Sequence, residues 1–183
     1  MWSSNMAEIL LSSENFIKSV TNISDNVSGK YILTSLREAQ EIGLKNIIGD
    51  CLLEKLKVLI KSGIDAHENI KYKYLLNKCQ YYLAYMTIVE LVYKVSYKIG
   101  NAGVVKTADE NLQVASFEEI VAQKEFYQSK ADFHCMEVQN YILENRSDFP
   151  EVDDCTCRKI HATLHSAATC GFFLGGARGK RRR

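Results

Sequence analysis

The sequence predicts an all-α protein. Three observations carry that expectation. The 183 residues contain one proline, Pro150. Alternation of apolar and polar residues, the mark of a half-buried strand, is scarce before residue 150. From Asn69 to Ile99 there is neither glycine nor proline, and apolar residues recur there at the three- and four-residue spacing of helix faces. The expected architecture is a helical body of four to five helices over residues 1–150, with one long central helix. An extended C-terminal arm follows over residues 151–183.

Each element has a local reason. Ser13 can cap a short helix carrying Phe16, Ile17 and Val20. The turn-rich stretch TNISDNVSGK interrupts the chain, and a helix is expected from Tyr31 to Lys45 with Ile32, Leu33, Leu36, Ala39 and Gly43 on one side. Gly49 suits a helix C-terminus and Asp50 the N-cap of the next helix. That helix places Leu52, Leu53, Leu56, Leu59 and Ile60 together and stops at Gly63. The long helix of 69–99 carries two adjacent apolar stripes. Leu75, Cys79, Tyr82, Met86, Val89 and Tyr93 make one; Tyr74, Tyr81, Tyr85, Ile88 and Val92 make the other.

Together the stripes are wider than the ~100° that packing on a single core requires. Either the helix is buried on two sides within one chain, or the second stripe faces a neighbouring subunit. Tyrosine, frequent between 72 and 97, is enriched at interfaces because it buries area and keeps a polar tip. Residues 100–116 have no clear period and are expected to form a long loop. Ser116 and Glu119 then spell a capping box, which opens a helix to about Asn145 with Ile120, Tyr127, Ala131, His134, Val138 and Tyr141 inward.

Composition excludes several classes. Apolar residues at 46% and charged residues at 25% are ordinary for a soluble globular domain. No signal peptide and no membrane span are expected, since the longest apolar run, Tyr81 to Val89, is far short of the ~20 residues a span needs. The six cysteines are expected as thiols in a reducing cytoplasm. The net charge of +1 is unevenly placed, with Arg178, Lys180, Arg181, Arg182 and Arg183 crowding the last six positions. An acidic body with a basic tip does not resemble a DNA-binding domain, whose basic residues line a face.

The arm holds the residues with chemistry. Cys155, Cys157, His161, His165 and Cys170 could hold zinc, and His161 and His165 would share a helix face. Structural zinc sites, however, use cysteine pairs two to four residues apart, and Cys155-x-Cys157 fits that poorly. No metal or cofactor is expected, and the cluster reads more simply as packing. No phosphate-binding glycine loop, no nucleophile elbow and no paired nucleophile and base are present, so an enzyme is not expected. The acids Asp148, Glu151, Asp153 and Asp154 read as a solvated turn. The basic tip could touch phosphate without sequence preference, but no aromatic residue is interleaved with it as a stacking platform. Phe172, Phe173 and Leu174, flanked by Gly171, Gly175 and Gly176, are costly to leave in water. Such a segment is expected to be tied down on its own body or on a partner.

The order of four segments carries a resemblance. LREAQEIGLKNIIGDCLLEKL (36–56), YYLAYMTIVELVYKVSYKIGNAGVVKTADEN (81–111), YQSKADFHCMEVQNYILENRSDFPE (127–151) and FLGGARGK (173–180) together resemble phage head–tail connectors. These adaptor or head-completion proteins include those of crAss-like phages and related prophages. The resemblance implies a structural virion protein, made in the host cytoplasm and sited at the head–tail junction. It implies a homo-oligomeric ring of about twelve copies with closed cyclic symmetry beneath the portal. The ring would extend the DNA channel, pass genomic DNA without reading its sequence, and link the portal to the next tail component. Phe172, Phe173, Leu174, Gly175, Gly176, Arg178 and Lys180 would then strap onto the portal or a neighbour. Tyr74, Tyr81, Tyr85, Ile88 and Val92 would form an inter-subunit stripe. The alternative is a small helical nucleic-acid-binding module with a zinc-stabilised C-terminus.

Overall fold

A computed structural model describes residues 8–100, 103–106 and 115–152, with residues 98–106 described by their backbone alone. The arm candidates Phe172, Phe173, Leu174, Gly175, Gly176, Arg178 and Lys180, and the cluster Cys155, Cys157, His161, His165 and Cys170, lie outside the described residues. So does much of the 100–116 connection.

The fold is all-α. Its helices are α1 (Glu14–Val20), α2 (Gly29–Glu38), α3 (Lys45–Ile48), α4 (Asp50–Ser62), α5 (Ile70–Ser96) and α6 (Phe117–Glu144). The start signals act where the sequence places them. The Ser13 hydroxyl accepts from the Phe16 N–H, and Ser116 and Glu119 close a reciprocal capping box at the head of α6. Each satisfies backbone donors that the first helical turn leaves without partners.

Three local features differ from expectation. The helix expected over 31–45 is not uniform, because a π-helical turn, Ala39–Leu44, joins α2 to α3. Asp50 is the first residue of α4 rather than its cap, and Gly49 takes the junction with φ 82°, a left-handed conformation open to glycine at little cost. α5 stops at Ser96, where the chain turns into a two-stranded antiparallel hairpin, β1 (Tyr97–Gly100) with β2 (Gly103–Lys106). Part of the expected loop is therefore paired backbone. Gly100 opposes Gly103 at the turn, where the absence of a side chain suits a tight reversal.

α5 is the centre of the molecule. At 27 residues it spans about 40 Å. Its most extensive contact is with α6, while α2, the π turn and α1 cover the other side. Leu75, Cys79, Tyr82, Leu83, Ala84, Ile88, Val89 and Leu91 are all buried. Thr87 is fully buried as well, and its hydroxyl is satisfied by donating to the Leu83 carbonyl at 2.6 Å. The width of the apolar arc is thus used up within one chain, by two layers pressing on one helix.

Both ends of the body are held by specific contacts. The Leu11 N–H donates to Gln40 Oε1 at 2.8 Å, and the Gln80 side chain donates to the Leu11 carbonyl at 2.8 Å. Gln40 is fully buried; the π turn brings it inward, and its two hydrogen bonds to the Leu11 N–H and Ile9 carbonyl replace those it would make in water. At the other end two 3-10 turns, Arg146–Asp148 and Pro150–Val152, follow α6. Phe149 between them is fully buried and packs edge-on against Tyr72, with ring centroids 5.2 Å apart. Tyr72 donates to Glu151 at 2.9 Å, and burial together with that carboxylate pushes the phenol well above its ordinary range.

Candidate interaction surface

The tyrosine stripe expected to face another subunit is largely covered by the chain's own α6. Ile88 is buried in the monomer and cannot be offered to a neighbour. Tyr81, Tyr85 and Val92 are half-buried. Tyr81 and Tyr85 both stack on His134 of α6, with centroids 5.5 and 5.2 Å away, and Tyr85 also stacks on Tyr127. Only Tyr74 of that stripe is open, at 60% exposure. The physical reason is period: a stripe on a central helix is matched by a second long helix of the same chain, which reaches it before any partner does.

That stacking has a consequence for pH. Burial between the tyrosine rings holds the His134 imidazole below its ordinary value of 6.5, against the opposing pull of Glu137 and with Lys130 and Lys78 acting in the same direction. The unfolded chain therefore takes up this proton first. Stability is expected to fall as pH drops below about 6.5 toward the depressed folded value. Denaturant titrations at several pH values, compared with His134→Phe, would check it; the variant should lose that part of the slope.

A row of exposed residues with apolar members lies elsewhere, on the back of α6. Ala122, Phe126, Ser129, Phe133, Met136, Asn140 and Leu143 are all exposed. Phe126 stands at 53% and Phe133 at 55%. Their spacing alternates four and three residues without a break, which is the 3.5-residue seam of a coiled coil. The inward residues Ile120, Tyr127, Ala131, Val138 and Ile142 occupy the opposite side of the same helix. The seam runs for about 30 Å. Glu118, Glu125, Asp132, Glu137 and Glu144 border it, with Lys130 the basic residue among them. The Lys130 ammonium sits 4.8 Å from the Phe126 ring centroid. Lys78 of α5 pairs with Glu137 at 2.8 Å and holds that carboxyl below its usual range.

The seam was legible in the sequence, since Phe126 and Phe133 are seven residues apart and Met136 and Leu143 repeat the interval. It was masked by a second apolar series on the same helix, which is the one the core uses. Only packing shows which series is covered.

Among the described residues no group of three or more histidine, cysteine or acidic side chains could hold a metal ion. Cys51 and Cys79 are not in disulfides, and burial pushes the Cys79 thiol up to about 12. Cys135 is disulfide-bonded, which departs from the thiol expected there. Among the described residues no helix is long and apolar enough to cross a membrane.

No curated protein and no solved structure matches the chain. A sequence model described as a family of unknown function, DUF6712, matches residues 44–162, which takes in α4, α5, α6 and the first residues beyond Val152. With that span covering more than half of the chain, the protein belongs to the DUF6712 family.

Proposed function

We propose that this chain is a structural virion protein that forms a ring beneath the portal at a phage head–tail junction, extending the DNA channel and linking portal to tail. The observation that carries the reading is the exposed seam on α6. A strip about 30 Å long that carries Phe126, Phe133, Met136 and Leu143 and is turned away from the core is a surface for another protein, and monomers seldom leave such a patch open without use. The four-segment resemblance to head–tail connectors supplies the kind of partner. A closed ring needs two different faces on each subunit. The back of α6 serves as one of them, and the arm, through Phe172, Phe173, Leu174, Gly175, Gly176, Arg178 and Lys180, straps onto the portal or onto a neighbouring copy. The body then acts by shape and adhesion, with no reaction and no cofactor.

The test is native mass spectrometry of the chain mixed with the portal ring encoded beside it, for the full length and for residues 1–170. The expected result is a gain of about one chain per portal subunit, as matched cyclic symmetry requires, and loss of that gain on truncation. A gain that survives truncation would keep the ring and move docking from the arm to the helical body. No gain for the full-length chain would overturn the reading. Stoichiometric zinc, with salt-dependent DNA binding abolished by removing residues 178–183, would put a nucleic-acid-binding module in its place.

A further inference from the structure

The back of α6 and the last residues of the chain match in charge and in length. We propose that residues 171–183 of an adjacent copy lie along the outer seam of α6, so that seam and tail are the two faces by which copies join. The inference rests on the ring reading for the presence of an adjacent copy. It deepens that reading by seating the strap on the neighbour rather than on the portal.

Charge is the first argument. α6 carries six acids and two lysines. Glu119 is engaged in the capping box and Glu137 with Lys78, while Glu118, Glu125 and Glu144 stand exposed. Residues 171–183 carry five basic side chains and no acid. Opposite charge on two surfaces steers them together and sets their pairing. The obvious rival is α6 against α6 of a second copy. That would gather Glu118, Glu125 and Asp132, which repeat every seven residues along one border, and like charges oppose it.

Length and shape are the second. Thirteen residues of extended chain would reach about 43–47 Å, enough to follow a seam of about 30 Å from end to end. Phe172, Phe173 and Leu174 stand between Gly171 and Gly175. In an extended segment residues 172 and 174 would share one side, and the glycines would let the backbone come close to a helix surface. The seam offers Phe126, Phe133, Met136 and Leu143 to receive them.

The third argument says whose tail it is. Cys135 lies on the inner side of α6, 1% exposed, and is disulfide-bonded, whereas Cys51 and Cys79 are not in disulfides. The bridge therefore runs to Cys155, Cys157 or Cys170. It fastens the arm to the inner side of its own α6 at a point before residue 171, and the thirteen residues that follow lie beyond it in sequence. A copy's own seam is left open, as the ring reading requires. Unlike faces, the seam of one copy and the tail of the next, can then repeat around a closed ring.

A photoreactive benzophenone side chain replacing Phe173 in the full-length chain tests the assignment, with the portal absent and the protein at its highest soluble concentration. The probe-bearing chain is mixed with isotopically labelled chain that lacks the probe. After irradiation, the expected product has the mass of two chains and joins the probe peptide to labelled peptides containing Phe126, Phe133, Met136 or Leu143. Phe133→Lys with Met136→Lys in the labelled chain should abolish that product by setting positive charge against the basic tail. Its melting temperature should stay near that of the parent, because both residues are exposed. A product of one chain mass, cross-links confined to other helices, or no product would overturn the proposal. The portal reading is judged separately by the mass gained on the portal ring. That gain without tail-to-seam cross-links would keep the portal reading and sink this pairing; cross-links without the gain would do the reverse.

Discussion

Phe149→Ala is expected to destabilise the protein by about 3–5 kcal/mol, the range for removing a buried aromatic side chain from a core. For a chain of this size that lowers the melting temperature by roughly 6–20 °C. The residue sits between two short 3-10 turns, where the backbone has few repeating hydrogen bonds of its own. Its ring meets Tyr72 of α5 edge-on and Tyr141 of α6 at 6.0 Å, so one side chain joins the start of the central helix to the end of the last. The Ala substitution empties a fully buried site and releases the clamp formed by Tyr72, Glu151 and Lys55. Phe149→Leu, which keeps most of the volume, should cost much less. Thermal and denaturant melts of the two variants would check the order. A loss below about 1 kcal/mol for the Ala variant, well under the range for such cavities, would mean that the turns do not depend on the ring.

Gly43→Ala is expected to lose about 1–3 kcal/mol, the usual cost of forcing an extra methyl into a packed site. A helical glycine replaced by alanine ordinarily gains about 0.5–1 kcal/mol, so the sign is the test. Gly43 lies in the π-helical turn, and a Cβ there would stand 2.5 Å from the Tyr82 hydroxyl oxygen. Tyr82 is only 5% exposed and has little room to swing away. With the hydroxyl removed by Tyr82→Phe, the next atom of the ring would be 3.5 Å from the new methyl, an ordinary contact. In that background Gly43→Ala should become neutral or stabilising by about 0.5–1 kcal/mol. The double-mutant cycle measures the difference directly. Equal effects in both backgrounds would show that the close approach is not what keeps glycine there.

These two sites differ in how visible they were beforehand. Phe149 could be read as the residue that closes the helical body, because Pro150 follows it. Its partners, Tyr72 and Tyr141, could not, since they lie on two other elements. Gly43 looked like a small residue on the inner face of a continuous helix. The π turn that places it under Tyr82 has no short-range signature: the same turn brings Gln40 inward to hold Leu11, a residue 29 positions away.

The amino-acid sequence by itself determined the helical class, the caps at Ser13 and Ser116, the stops at Gly49 and Gly63, and the two apolar stripes of α5. All of these depend on residues within about one turn or one period of each other, where hydrogen bonding and side-chain spacing are local. Tertiary structure alone decided which stripes were covered. α5 carries two and α6 carries two; packing covered most of both on α5, with Tyr74 left open, and one of those on α6, leaving the seam from Ala122 to Leu143 outside. Burial is decided by which helices meet, and helices meet through contacts made dozens of residues apart. The exposed seam on α6 therefore belongs not to the widest apolar arc in the sequence but to a series that its own chain left uncovered.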